Sequence, residues 1–274
     1  METIPLVQSS AKVVASVRNI LMPHGRPRCL RCQQRDRISG TADGRYWCGR
    51  CRRKWSLRQC CGFGGAKLGW DQIHRIGLAF SRSWPVAIAA TTAGVSPPTV
   101  RRYYGLLRGK CAAWSHAFDG CLSGDICADE SYVGRQRTGN QAIVIGAVNR
   151  AFTEVVFRII RTVDQGTVEK FLYDTVAPWS QLTTDGHTAY ADVTWMGFSH
   201  RFEIHERGEF SETCPIERVW ALLKTFLHRT YHHVWRERLA EYLAEFRFKF
   251  MHPLVARSPL YYFRFLAFTA PTAC

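Results

Sequence analysis

The sequence predicts an α/β domain with a mixed sheet flanked by helices, preceded by a small cysteine ribbon and a helix-turn-helix-like module. Three observations lead there. Four cysteines stand in two C-x-x-C pairs near the start. Two helix-period segments follow, joined by a glycine turn. Beyond residue 120 the pattern changes to strand-length apolar runs alternating with helical spacing, the signature of a sheet covered by helices.

The charge divides the chain the same way. Residues 1–120 hold 20 Lys and Arg against 5 Asp and Glu, whereas residues 121–274 hold 17 against 17, so the first part carries the whole net charge of +15. A basic module joined to a neutral one predicts polyanion binding by the first and a different task for the second. No apolar run reaches the roughly 18 residues that span a bilayer. The opening Met1-Glu2 lacks the basic-then-apolar pattern of a signal peptide. A cytoplasmic, nucleoid-associated protein without a membrane partner is expected. Eleven cysteines without a secretory signal point to metal binding rather than to a disulfide framework.

Residues 1–28 offer one short helical stretch, about 11–22, and then a linker. Cys29/Cys32 and Cys48/Cys51 have fifteen residues between the pairs. That spacing suits a zinc ribbon over residues 29–60, in which two knuckles clamp one tetrahedral Zn²⁺ through four thiolates. Four thiolates leave no open position, so this zinc is structural. Cys60 and Cys61 follow closely enough to exchange with a ligand. Arg31, Arg50, Arg52 and Arg53 surround the knuckles and suit phosphate contacts.

Residues 68–112 read as the helix-turn-helix-like module. Ile73, Ile76 and Phe80 share one helical face, residues 86–93 form a small-residue helix, and Gly94-Val95-Ser96 makes the turn. Ser96 is placed to cap the next helix, and proline is favoured at its first position, Pro97. The second helix of such a motif enters the major groove, which makes Thr99, Arg101 and Arg102 the expected DNA contacts. An ordinary helical hairpin between domains is the alternative.

From residue 121 to 250 the expected order is three strands, helix, strand, helix, strand, helix. The strands lie around Asp129, at 141–148, 153–160, 181–186 and 201–205; helices cover 163–176 and about 215–228, the last clear element, with a helical or loop segment containing Tyr190 and Trp195 between the last two strands, and 251–274 form a tail. Asp129 and Glu130 sit in a short apolar strand, where a carboxylate is costly unless a cation meets it. Asp129 on the first strand and Asp185 at the end of the fourth are predicted to share two Mg²⁺ or Mn²⁺ ions, hard cations that prefer oxygen ligands. Glu217, in the first turn of the last helix, is the leading third carboxylate, with Glu212 the fallback. Lys224 lies seven positions on, on nearly the same face, within reach of a phosphate. Ile216, Val219, Trp220, Leu223 and Leu227 are expected to face the sheet. Glu130 points to the opposite face of its strand from Asp129 and is read as structural. Arg135 and Arg137 are the alternative partners for Asp129 or Glu130.

These residues resemble a known family. Asp129-Glu130-Ser131-Tyr132-Val133-Gly134, Thr184-Asp185-Gly186 with Tyr190, His205, the run from Ile216 to Lys224, Tyr231-His232-His233-Val234 and the run from Leu239 to Phe248 are similar to a DDE transposase of the bacterial insertion-sequence group related to the Merlin superfamily. The resemblance runs from the ribbon to about residue 250. It implies an RNase H-like catalytic domain, with Asp129, Asp185 and Glu217 as catalytic, Mg²⁺-binding carboxylates and Lys224 as a family-typical basic residue. The chain departs from the pattern at Cys214, where members often carry an Asn, and a thiol is a poor Mg²⁺ ligand. The implied function is two-metal cleavage and strand transfer at transposon ends, on double-stranded DNA, by a homo-oligomer. The alternatives are a non-catalytic DNA-binding protein and a structure-specific nuclease.

Overall fold

The computed structural model describes residues 9–22, 25, 27–61, 63–65, 67–117, 121–203 and 214–254. The chain divides into two compact units, one up to Ala113 and one over Trp114–Pro253.

In the first unit, helix α1 (Ser10–Leu21) is capped by Ser9, whose side chain accepts from the Lys12 N–H. Strands β1 (Ile38–Gly40), β2 (Tyr46–Cys48) and β3 (Lys54–Trp55) form an antiparallel sheet. Trp55 packs against Cys29 and Cys48 in a core of its own, too small to hold a fold without a further tie. The short helix α2 (Leu57–Cys60) starts with a capping box, Ser56 and Gln59 bonding each other's backbone. Helices α3 (Trp70–Ser81), α4 (Val86–Ala93) and α5 (Pro97–Ala117) follow. Gly94 ends α4 in the left-handed conformation at φ 64°, which a residue with a Cβ adopts at a cost. Helix, turn and helix are thus where the sequence predicts them.

The second unit is the expected α/β domain. It contains β4 (Asp125–Val133), β5 (Ala142–Asn149), β6 (Val155–Ile160), helix α6 (Gln165–Thr175), β7 (Gln181–Asp185), β8 (Ser199–Glu203) and helices α7 (Cys214–Tyr231) and α8 (Leu239–Met251). The five strands lie in the order β6-β5-β4-β7-β8. β5 runs against β4 and β6, while β7 runs parallel to β4 and β8. This is the mixed, helix-flanked sheet of the RNase H-like reading.

Alternation along β4 separates two cores. Ile126 and Ala128 face α6 with Val168, Phe171 and Leu172. Cys127 faces the other side with Ile216, Val219, Trp220, Leu223 and Leu227 of α7, as the helical pattern predicts. Helix α8 is an element the sequence reading omits. It buries Leu239, Leu243 and Phe246 in the same core, but also Glu245 and Arg247. Charges on the inward side break the apolar period that would reveal a helix. Tyr231 donates to both oxygens of Glu245, and Lys249 pairs with it one turn on, so the buried charge is met.

Candidate active site and zinc ribbon

The pairing of β4 with β7 runs from Asp125↔Gln181 to Cys127↔Thr183 and then stops. Continued by two residues, that register sets Asp129 level with Asp185. The chain leaves β4 toward β5 on one side, and β7 leads to β8 on the other. A crevice opens outside the carboxyl ends of two parallel strands whose connections diverge in this way, and ligands of open α/β sheets bind there.

Three carboxylates occupy the crevice. Oxygens of Asp129, Glu130 and Asp185 all lie within 4.8 Å of one another. Asp129 is on the α7 face, where its Oδ2 accepts from Trp220 Nε1 at 2.9 Å. Glu130 is on the opposite face, as alternation requires, where its Oε2 accepts from the Tyr190 hydroxyl at 2.8 Å. Asp185 Oδ1 accepts from the His187 backbone N–H at 3.2 Å. The donors to Asp129 and Glu130 are thus a neutral indole and a neutral phenol, not Arg135 or Arg137.

Trp220 reaches Asp129 because the strand beside it is bare. Gly146 is the register partner of Asp129 on β5. A Cβ there would stand 2.7 Å from Trp220 Cη2 and 3.0 Å from Cζ2. The indole therefore lies over the glycine and directs its N–H at the carboxylate.

Burial pushes the Asp129 carboxyl up to about 6; the Trp220 bond opposes this, and the Glu130 and Asp185 charges add to it. Burial raises Glu130 too, against the pull of the Tyr190 hydroxyl, and raises the Tyr190 phenol well above its ordinary range. Half-buried carboxylates that repel one another and meet only neutral donors are poised for a cation. An all-oxygen set of this kind fits a hard divalent ion such as Mg²⁺ or Mn²⁺.

The other expected residues fall as follows. Glu217 is exposed in the first turn of α7 and is not one of the three clustered acids. It lies three positions before Trp220, on the same stripe of the helix. Lys224 is exposed four positions after Trp220. Glu212 and His205 lie outside the described residues, as does the side chain of Cys214. Glu130, read from the sequence as structural because it faces away from Asp129, brings its carboxylate into the cluster all the same. The reason is that pairing with β7 ends before it, so two side chains from opposite faces converge past the last rung. Trp220 and Tyr190 as holders of the acids were also missed. An isolated glycine in the apolar run of β5 was the available signal, since it marks close approach of another group.

In the ribbon, the Sγ atoms of Cys29, Cys32, Cys48 and Cys51 lie within 4.8 Å of one another, with Cys29 to Cys51 at 3.4 Å and Cys32 to Cys48 at 3.7 Å. A tetrahedral Zn²⁺ with Zn–S bonds of about 2.3 Å requires sulfurs about 3.8 Å apart, so the four fit one ion. Cys60 and Cys61 are outside the cluster, and burial pushes the Cys60 thiol up to about 11. The ligand exchange considered from the sequence therefore has no support. Arg31, Arg50, Arg52 and Arg53 are exposed, as are Arg101 and Arg102 on α5. The Thr99 hydroxyl is bonded to Ser96 Oγ at 2.9 Å.

The family model of the ISXO2-like transposase domain matches residues 121–251, a span that contains the five-stranded sheet and the acidic cluster. That match covers just under half of the chain. The resemblance carried by the sequence motifs is thus shown for the transposase domain, and its acidic cluster is positioned for metal binding. Comparison with curated proteins finds no match. Among solved structures, the chain is similar to one in the cryoEM structure of the simian T-cell lymphotropic virus intasome in complex with PP2A regulatory subunit B56 gamma. The identity is 15% and the TM-score 0.37, covering 63% of this chain and 65% of that one. This chain thus spans under two thirds of that relative's length, and the likeness is too loose to assign a role to any residue. No helix among the described residues is long and apolar enough to cross a membrane.

Proposed function

We propose that the protein is a DNA transposase that cleaves the strands at transposon ends and joins them to target DNA. The observation that carries this reading is the cluster of Asp129, Glu130 and Asp185 at the crevice between β4 and β7, in a domain of a transposase family. Asp129 and Asp185 are the residues that would hold two divalent metal ions, with Glu217 as the third carboxylate that the family resemblance implies. When bound, such a pair activates the attacking hydroxyl and stabilises the leaving oxygen of an in-line displacement at a phosphodiester.

The remaining chemistry belongs to the chain itself. Trp220 holds Asp129 in one rotamer, and Tyr190 does the same for Glu130, whose role is to position the site. Glu217 supplies its carboxylate from the stripe of α7 that carries Trp220. Lys224 neutralises a phosphate beside the acids. No nucleophilic side chain is required. The four cysteines hold a structural Zn²⁺, and Arg31, Arg50, Arg52, Arg53, Thr99, Arg101 and Arg102 bind the end DNA, through phosphates in the ribbon and a groove in the second helix of the motif. Pairing of two ends calls for a homo-oligomer on DNA.

The test is a strand-cleavage and strand-transfer assay with Mg²⁺ or Mn²⁺, on DNA carrying the terminal repeats that flank the gene. Wild type should cut and join; Asp129→Asn, Asp185→Asn and Glu217→Gln should each lose more than about a hundredfold in rate. Glu130→Gln should lose less, since the amide still accepts from Tyr190. Full activity in Asp129→Asn and Asp185→Asn would sink the site, and cutting without joining would make the protein a nuclease. Loss in Glu130→Gln with none in Glu217→Gln would give Glu130 the third position.

A further inference from the structure

The reaction described above leaves one feature of the domain unused. Past the acidic cluster, where β4 ends and α7 runs out, a cavity of about 300 Å³ is lined by Arg135, Lys224, His228, His232, His233 and Arg236 around an apolar floor. Among the described residues, no Asp or Glu lines it. All six of these side chains are exposed.

The cavity is built rather than incidental. Asn140 is buried, donates from Nδ2 to the Val234 carbonyl at 2.7 Å, and accepts the Arg236 N–H at 2.7 Å. One side chain thereby pins the 234–236 segment across the end of β4. His232 closes α7 in the left-handed conformation at φ 58°, where glycine is the usual residue. Its N–H bonds to the His228 carbonyl at 3.1 Å. An imidazole held at a place that favours glycine, on the rim of a cavity, is conformational cost retained beside a site.

The contents of the lining choose the ligand. Guanidinium, ammonium and imidazole N–H groups are all donors, and three of the six are formal cations. The last carbonyls of α7 favour these cations and disfavour an anion, but they are partial charges set against full ones. The histidines do not form a metal group among the described residues. The ligand is therefore an anion rich in acceptor oxygens, and the fork of an arginine suits phosphate.

Position identifies which phosphate. Lys224 and His228 follow Trp220 at intervals of four along α7, forming one stripe that begins beside Asp129. Eight residues from Trp220 to His228 cover about 12 Å. We propose that this cleft binds a backbone phosphate of the DNA strand a few nucleotides from the phosphodiester that meets the acidic cluster. The proposal rests on the transposase reading and adds a subsite to it.

The experiment measures binding of the full chain to a duplex carrying the terminal repeat, by fluorescence anisotropy across a salt series. Arg236→Gln should lower the slope of log affinity against log salt by about 1, the effect of one lost phosphate contact. A scan with single neutral methylphosphonate linkages should reveal one phosphate whose neutralisation weakens wild type, while the doubly substituted His228→Gln, Arg236→Gln protein is indifferent to it. These exposed positions should leave the circular dichroism unchanged. An unchanged slope, or a methylphosphonate effect that persists in the double variant, would overturn the cleft. Cleavage by Asp129→Asn on the same duplex would overturn the transposase reading and leave the cleft standing as a DNA contact. Failure of wild type to bind DNA would remove both.

Discussion

Asp129 shows how a single carboxyl joins stability to function. Its pKa rises from 3.8 to about 6, mainly through burial. A carboxyl raised in the folded state keeps its proton where the unfolded chain has lost it. Stability therefore falls as pH climbs from about 4 to about 6, and the loss persists above that. At about 1.4 kcal/mol per pH unit of difference, the charge costs on the order of 1–3 kcal/mol at pH 8. Asp129→Asn keeps an acceptor for Trp220 and removes the charge. Without added divalent ions it should match wild type near pH 4 and exceed it by that amount at pH 8, measured as the shift in urea midpoint. A difference that does not change with pH would remove the raised carboxyl. The stabilised variant should be inactive, the usual exchange between a strained site and a stable fold.

At the scale of elements, the deciding contact is α7 lying across β5. Gly146 on β5 and Trp220 on α7 meet with no room for a Cβ. Gly146→Ala should cost about 1–3 kcal/mol, as overpacking does, and should push the indole off Asp129. Activity should fall at least about tenfold, the weight of one charge-assisted bond. Thermal melts and the cleavage assay check the two effects; normal activity with normal stability would show that the helix rides higher than described. The helical turn that ends at Pro97 and the strands β5, β6 and β7 were legible because each has a local period or punctuation mark. Helix α8 was not, because its buried Glu245 and Arg247 meet partners outside the helix, Tyr231 and Trp114, a relation that no window of sequence displays. Alternation along β4 predicted the faces of Asp129 and Glu130 correctly, yet not that the Glu130 carboxylate comes within 4.8 Å of the other two, because the end of β4–β7 pairing is not a local property.

For the whole molecule, the chain joins two separately cored units, and the core of the ribbon rests on no more than Cys29, Cys48, Trp55 and the residues packed against them. Cys29→Ser should lose one equivalent of zinc and unfold the ribbon, since binding energy is folding energy in so small a module. The sheet of the transposase domain should survive. Metal analysis and limited proteolysis read this together, with new cuts expected before residue 114; cuts throughout the chain would mean that the units do not stand alone. By itself the sequence determined the four-cysteine ribbon, the charge asymmetry, the order of most elements and the pair Asp129 and Asp185. Each of these is written as residue type at short spacing or as a motif. Only the tertiary structure decided that Glu130 joins the acids, that Trp220 and Tyr190 hold them, and that cations gather beyond them around Asn140. Those contacts join residues 60 to 96 positions apart, and their meeting depends on strand register and helix packing, which fix which side chains converge but leave no local trace in the chain.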